Sequence, residues 1–190
     1  MKYLRAQNKR LVATLCAGLW VLAPSQAFAL TAQDIFRQAS DRIWVLETLN
    51  AKDQVIASAG AVVIDAGKAI AQCDVLQGAA TIRLVRGEKI IRAEQTGGAD
   101  RAGLCLLALS DLAVAAPVEF LQKNPEVGVR VFAVSNALQL GLSISEGVVS
   151  GIRDFGGDTY IQFTAAIAPG SEGGGLFDVD GRLLGFITYR

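Results

Sequence analysis

The chain contains no histidine in its 190 residues. That removes the commonest general base of neutral-pH catalysis and the commonest metal ligand. Basic residues number 18 and acidic residues 18. No surplus positive charge is available for nucleic acid or an anionic membrane surface. Cysteine is scarce, at three residues, and thiols without imidazoles make a poor zinc set. Nothing in the sequence calls for a metal or a cofactor. Proline is rare at four residues and aromatic residues make up 7%. Past the N-terminal region no apolar run reaches the roughly 20 residues that a membrane-spanning helix requires.

What is present begins with a targeting pattern. Lys2, Arg5, Lys9 and Arg10 form a basic cluster, residues 11–22 form an apolar core, and Ala27-Phe28-Ala29 reads as a cleavage site. This is the layout of a secretory signal peptide over residues 1–29. The mature protein is expected to begin near Leu30, in the periplasm or outside the cell, with no membrane attachment after cleavage. Cys16 falls within the apolar core, so Cys73 and Cys105 are the thiols that remain. An even pair in an oxidising compartment reads as a disulfide, with two buried free thiols as the alternative.

Thr31 through Asp34 resembles a helix-capping start, and Ile35, Phe36, Ala39 and Ile43 recur at helical spacing. From Trp44 the period changes to that of strands. Residues 44–49, 57–64, 69–72, 81–85, 90–95 and 104–109 read as one set of strands. Residues 129–134, 142–151, 160–164, 174–177 and 182–188 read as a second. Twenty glycines supply turn signals, and Asp180-Gly181 is a two-residue hairpin signal. The expectation is an all-β fold of two six-stranded-type antiparallel barrels with a short N-terminal helix. Residues 30–110 form the first barrel, 111–117 a linker, and 118–190 a second barrel.

Residues 164–185, TAAIAPGSEGGGLFDVDGRLLG, resemble the nucleophile region of trypsin-like serine proteases of the bacterial Deg or high-temperature-requirement branch. So does SEGVVSG at 145–151. AIAQCDVLQGA at 69–79 resembles the family's histidine strand, and GLCLL at 103–107 its aspartate strand. The lead-in LTAQDIF at 30–36 is similar as well. The resemblance covers the mature chain in order. It implies a trypsin-like double barrel, and it supports the Cys73–Cys105 pairing, because an exported subset of the family carries cysteines at those places. It also implies that the second barrel lacks its final strand here.

The resemblance implies that the three catalytic places hold other residues. The family's T-N-x-H-V matches Ala71-Gln72-Cys73-Asp74-Val75, so Asp74 stands where the general base belongs. D-L-x-L-L matches from Gly103, leaving glycine in place of the aspartate. G-[NS]-S-G-G matches Gly170-Ser171-Glu172-Gly173-Gly174, which puts Glu172 at the serine position. A serine hydroxyl needs a base to take its proton, and an imidazole oriented by a carboxylate does this. A carboxylate at Asp74 is too acidic and too short, Gly103 orients nothing, and Glu172 carries no hydroxyl. Ser171 is the one hydroxyl nearby, but the flanking glycines fix the register against it. Asp100 and its neighbour Arg101 read as a solvated turn.

What persists is binding. The loop Gly170, Ser171, Glu172, Gly173 keeps its glycines, and in active relatives its N–H groups form the oxyanion hole. The Glu172 carboxylate is expected to fold into that nest. By resemblance Ala166, Ile167 and Ile187 border a pocket for a small aliphatic side chain, unless they are simply barrel core. The sequence thus points to an exported pseudoprotease that binds a periplasmic protein or peptide or regulates one. Strand addition at an open C-terminal sheet edge is the expected mode. The competing readings are an active serine endopeptidase and a degenerate structural copy.

Overall fold

A computed structural model describes residues 30–98, 100, 102–110 and 117–189. Residues 1–29, read above as a signal peptide, Arg101, and all but Pro117 of the expected linker lie outside the described residues. Thr31 opens helix α1 (Ala32–Ser40). Its hydroxyl accepts the Asp34 N–H at 3.2 Å, and its own N–H donates to the Asp34 carboxylate at 3.3 Å. These reciprocal bonds satisfy amides that the first turn leaves without partners. The helical spacing of apolar residues runs one turn further than the helix does. Ile43 starts β1 (Ile43–Leu49) and is buried there.

The first barrel follows. Its remaining strands are β2 (Val55–Asp65), β3 (Lys68–Gln72), β4 (Thr81–Arg86), β5 (Lys89–Gln95) and β6 (Leu104–Leu109). The wall closes in the order β1-β2-β3-β6-β5-β4, with β4 returning to β1. The two-residue side-chain period sends alternate residues to different cores. Trp44, Leu46, Ala61 and Val63 fill the barrel with Leu84 and Leu107. Ile43 and Val62, opposite one another on β1 and β2, point the other way and join a second cluster.

That second cluster joins the two halves. It contains Ile35 and Ala39 of α1, Phe132 and Val134 of β7 (Arg130–Ser135), and Phe177 and Leu183. The helix, read from sequence as part of the first barrel, therefore packs between the halves. The second sheet adds β8 (Ser143–Phe155), β9 (Asp158–Phe163), β10 (Gly175–Phe177) and β11 (Leu183–Phe186). Its order is β11-β10-β7-β8-β9, a curled sheet of five strands that does not close among the described residues. Val131, Ala133, Val149, Ala165, Leu176 and Ile187 line its inner face.

Two turns differ from the sequence reading. β8 and β9 form one long hairpin through Gly156-Gly157, extending each strand beyond its expected end. The Asp180-Gly181 hairpin is wider than two residues. Asp178 accepts from the N–H groups of Asp180 and Arg182 at 2.9 Å each and pairs with the Arg182 guanidinium. A side chain, rather than a tight backbone turn alone, shapes that connection.

Candidate functional site

The site lies where β3, the 100–104 turn and the 168–174 loop converge. After β3 the chain tightens into a single 3₁₀ turn (Asp74–Leu76), whose first residue lends its carboxylate to the Val75 N–H at 2.9 Å. Asp74 is exposed. The disulfide joins Cys73 to Cys105, with Cα atoms 5.1 Å apart, and ties this turn to β6. The Gly103 carbonyl accepts the Cys73 N–H at 2.8 Å. Gly103 adopts φ 79°, at the end of a turn in which the Asp100 carboxylate accepts the Leu104 N–H at 2.7 Å. Asp100 is thus a turn former, as its sequence context suggests.

The 168–174 loop is pinned to the first barrel by backbone contacts. The Gly60 N–H donates to the Glu172 carbonyl at 2.7 Å. Gly173 packs so closely on Gly60 that a Cβ there would come within 2.1 Å of the Gly60 oxygen. Gly173 N–H donates to the Ile187 carbonyl at 2.9 Å, and the Ile187 N–H donates to Gly174 at 2.8 Å. Within the loop the Glu172 carboxylate turns back and accepts the Gly170 N–H at 2.8 Å. Ser171 points the opposite way. It is fully buried, and its hydroxyl accepts from Ser135 at 3.0 Å and from the Ala168 N–H at 3.1 Å.

Asp74, Gly103 and Glu172 border one open cavity of about 450 Å³, together with Gln72, Tyr160 and Tyr189. Burial raises the Tyr189 phenol above its usual value, the negative charge of Glu172 adds to this, and a hydrogen bond with Ser171 opposes both. Gln72 is 7% exposed, and its amide nitrogen has no hydrogen-bond partner among the described residues. No group of three histidine, cysteine or acidic side chains is placed to hold a metal among them.

A second cavity of about 650 Å³ adjoins the first, sharing Gln72, Tyr160, Thr188 and Tyr189. Ile167 lines it, whereas Ala166 is exposed and Ile187, at 1%, sits in the core of the second sheet. Sequence reasoning singled out neither Tyr189 nor Gly60. Gly60 had a signal: a glycine inside an apolar strand marks close backbone approach. Tyr189 had none, because only the curl of the second sheet brings it beside Glu172.

A closed antiparallel barrel and a second curled sheet, with Asp74, Gly103 and Glu172 gathered around one cavity, define a protein of the trypsin-like class. A trypsin-like peptidase domain is matched across residues 50–186, and the chain belongs to that family. A chain described as a periplasmic serine protease, do/HhoA-like, of Haemophilus influenzae is 29% identical over 115 residues, covering 57% of this chain and 24% of that protein. Serine endoprotease DegS of the same organism is 31% identical over 105 residues, covering 52% and 31%. This chain therefore spans about a third or less of the length of these relatives. The solved structure of the HtrA-type protease AlgW with a tripeptide superposes with a TM-score of 0.71 at 25% identity, covering 82% of this chain and 53% of that one. A serine endoprotease from Yersinia pestis gives 0.71 at 21% identity, covering 84% and 57%, and supports the fold.

Proposed function

We propose that this chain is an exported pseudoprotease of the Deg/HtrA type, which binds or regulates a periplasmic protein or peptide and does not hydrolyse one. One observation carries the reading. The residue at the nucleophile place is Glu172, and its carboxylate accepts the Gly170 N–H from within the same loop. In an active protein of this class that loop's N–H groups are free to stabilise the oxyanion of an acyl-transfer intermediate. A resident carboxylate is itself an anion and competes with that charge. The absence of histidine supports the same reading, since no imidazole is present to take a proton from an attacking hydroxyl. Ser171 is a poor substitute nucleophile, being buried and already engaged by Ser135 and Ala168. Export is supported by the N-terminal pattern and by the periplasmic description of the Haemophilus relative.

The test is a fluorophosphonate probe, which labels activated serines, run alongside casein turnover. The expected result is no labelling and no turnover. Casein cleavage that is abolished by changing one side chain of the 450 Å³ cavity would refute the proposal. The triple variant Asp74→His, Gly103→Asp, Glu172→Ser is expected to regain labelling. Aspartate tolerates the left-handed conformation of position 103 better than most side chains do.

A further inference from the structure

The disulfide presents its two sulfurs to different surroundings. Cys105 points inward from β6, is 1% exposed and belongs to the core of the first barrel. Cys73 is partly exposed and lines the open 450 Å³ cavity. Access helps decide which sulfur of a disulfide a thiolate attacks. Here the approach is from the cavity, onto Cys73.

Attack at Cys73 makes Cys105 the departing thiolate. Apolar burial alone disfavours that charge. A hydrogen-bond donor stands beside it. The side-chain amide of Gln95 donates to the Cys105 sulfur at 3.1 Å and to the Gly97 carbonyl at 3.1 Å. The second bond fixes the amide before any reaction, and the first strengthens as negative charge develops on sulfur. Exchange need not open the barrel. β3 stays on β6 through the ladder that ends at Gln72 and Leu104, and the Gly103 carbonyl holds the Cys73 N–H at 2.8 Å.

The cavity also selects the attacker. Asp74 and Glu172 line it, and among the described residues that do so none is basic. Asp74 is exposed and follows Cys73 directly in the chain. Two carboxylates favour an incoming thiol that carries positive charge and repel one that carries further negative charge.

We propose that Cys73 is a thiol–disulfide exchange site, served by a thiol borne beside positive charge. That thiol is either a small cationic molecule or a cysteine flanked by basic residues in a polypeptide. The attacker gives its proton to solvent, and a lone pair on its sulfur forms a bond to Cys73 Sγ. The electron pair of the Cys73–Cys105 bond departs on Cys105 Sγ, which takes a proton from water. The attacker's sulfur is oxidised and Cys105 is reduced, leaving a mixed disulfide on Cys73 and a buried thiol on Cys105. None of this depends on whether the chain hydrolyses peptides.

The experiment uses the purified full chain, treated first with iodoacetamide to block Cys16. Cysteamine, a Lys-Cys-Lys peptide with blocked ends and mercaptoethanesulfonate are compared under native conditions, at low salt and equal thiolate concentration. Early samples are quenched with acid, capped with N-ethylmaleimide and mapped by mass spectrometry. The expected result is the adduct on Cys73 and the maleimide on Cys105, with both cationic thiols faster than the sulfonate. In the double variant Asp74→Asn, Glu172→Gln that preference should fall about threefold or more. Gln95→Glu keeps the size of the side chain, removes the donor and sets a like charge beside the departing thiolate. It should slow exchange about fivefold or more. A tripeptide faster than cysteamine assigns the site to polypeptide cysteines, and otherwise it belongs to small thiols; both results uphold the exchange site. An adduct mainly on Cys105 overturns it, as does the absence of any adduct until urea unfolds the chain. So does a charge preference unchanged in the double variant, or a Gln95→Glu rate equal to that of the parent. Fluorophosphonate labelling of the same sample reports separately on the catalytic reading.

Discussion

Replacing Gly60 with alanine tests whether the 168–174 loop is held by the first barrel through backbone contact alone. The added Cβ would lie 2.7 Å from Gly174 N, 2.9 Å from the Gly173 carbonyl carbon and 3.0 Å from the Glu172 oxygen. All three are backbone atoms, so no side chain can rotate aside. The loop cannot retreat freely either, because Gly173 and Gly174 are bonded to Ile187 behind it. Relief requires the loop to shift away from β2, which stretches the 2.7 Å bond from Gly60 to Glu172. Overpacking of this kind costs about 1–3 kcal/mol, and a lost hydrogen bond adds about 1 kcal/mol. The expected loss is about 2–4 kcal/mol. Gly60 does not use the left-handed region, so the cost is steric and not conformational. Gly185→Ala is the control. Its Cβ meets nothing within 4 Å, and a change within about 0.5 kcal/mol is expected. Urea denaturation followed by the fluorescence of the fully buried Trp44 measures both. A Gly60→Ala midpoint indistinguishable from the parent, with an unchanged slope, would refute the interlock.

Three further outcomes are expected. Replacing Cys73 and Cys105 together with alanine opens a loop of 32 residues' separation and should cost about 3–4 kcal/mol in the chain-entropy view; a loss under about 1 kcal/mol in urea titration would contradict it. Glu172→Gln removes the negative charge that helps hold the Tyr189 phenol up, so phenolate absorbance should appear at lower pH than in the parent. An unchanged or raised titration would show that the two side chains do not sense each other. Thr31→Ala removes the hydroxyl bond, the largest of the influences that hold the Asp34 carboxyl below its ordinary value, and leaves the backbone bond and Arg37 in place. Its titration, followed by NMR, should move up towards that of a free aspartate. In the parent, the stability from this cap is present above the ordinary aspartate pKa and is lost as pH falls through the lowered one.

Much of the fold was legible because burial imposes period two on strands and turns demand particular residues. All eleven strands among the described residues correspond to apolar runs read from the sequence. The boundaries that moved did so for tertiary reasons. Ile43 fits a helical stripe, but it is β1's contribution to the cluster between the halves. The ends of β8 and β9 were unreadable because their outer residues are largely exposed, and an exposed hairpin carries little hydrophobic period. The Asp178 turn was read as a tighter one because Asp-Gly is a local signal, whereas the bonds from Asp178 reach residues on both sides of it.

The sequence by itself determined the chemistry on offer: no imidazole, a carboxylate at position 172, and a pair of cysteines beyond the N-terminal segment. Composition and motif register are one-dimensional facts, and folding cannot add a functional group. Tertiary structure alone decided direction and distance. It turned the Glu172 carboxylate onto Gly170, buried Ser171 against Ser135, and set residues of β9 and β11 around one cavity. These depend on how two sheets curl and meet, and residues far apart in the chain share that geometry without any local pattern to announce it.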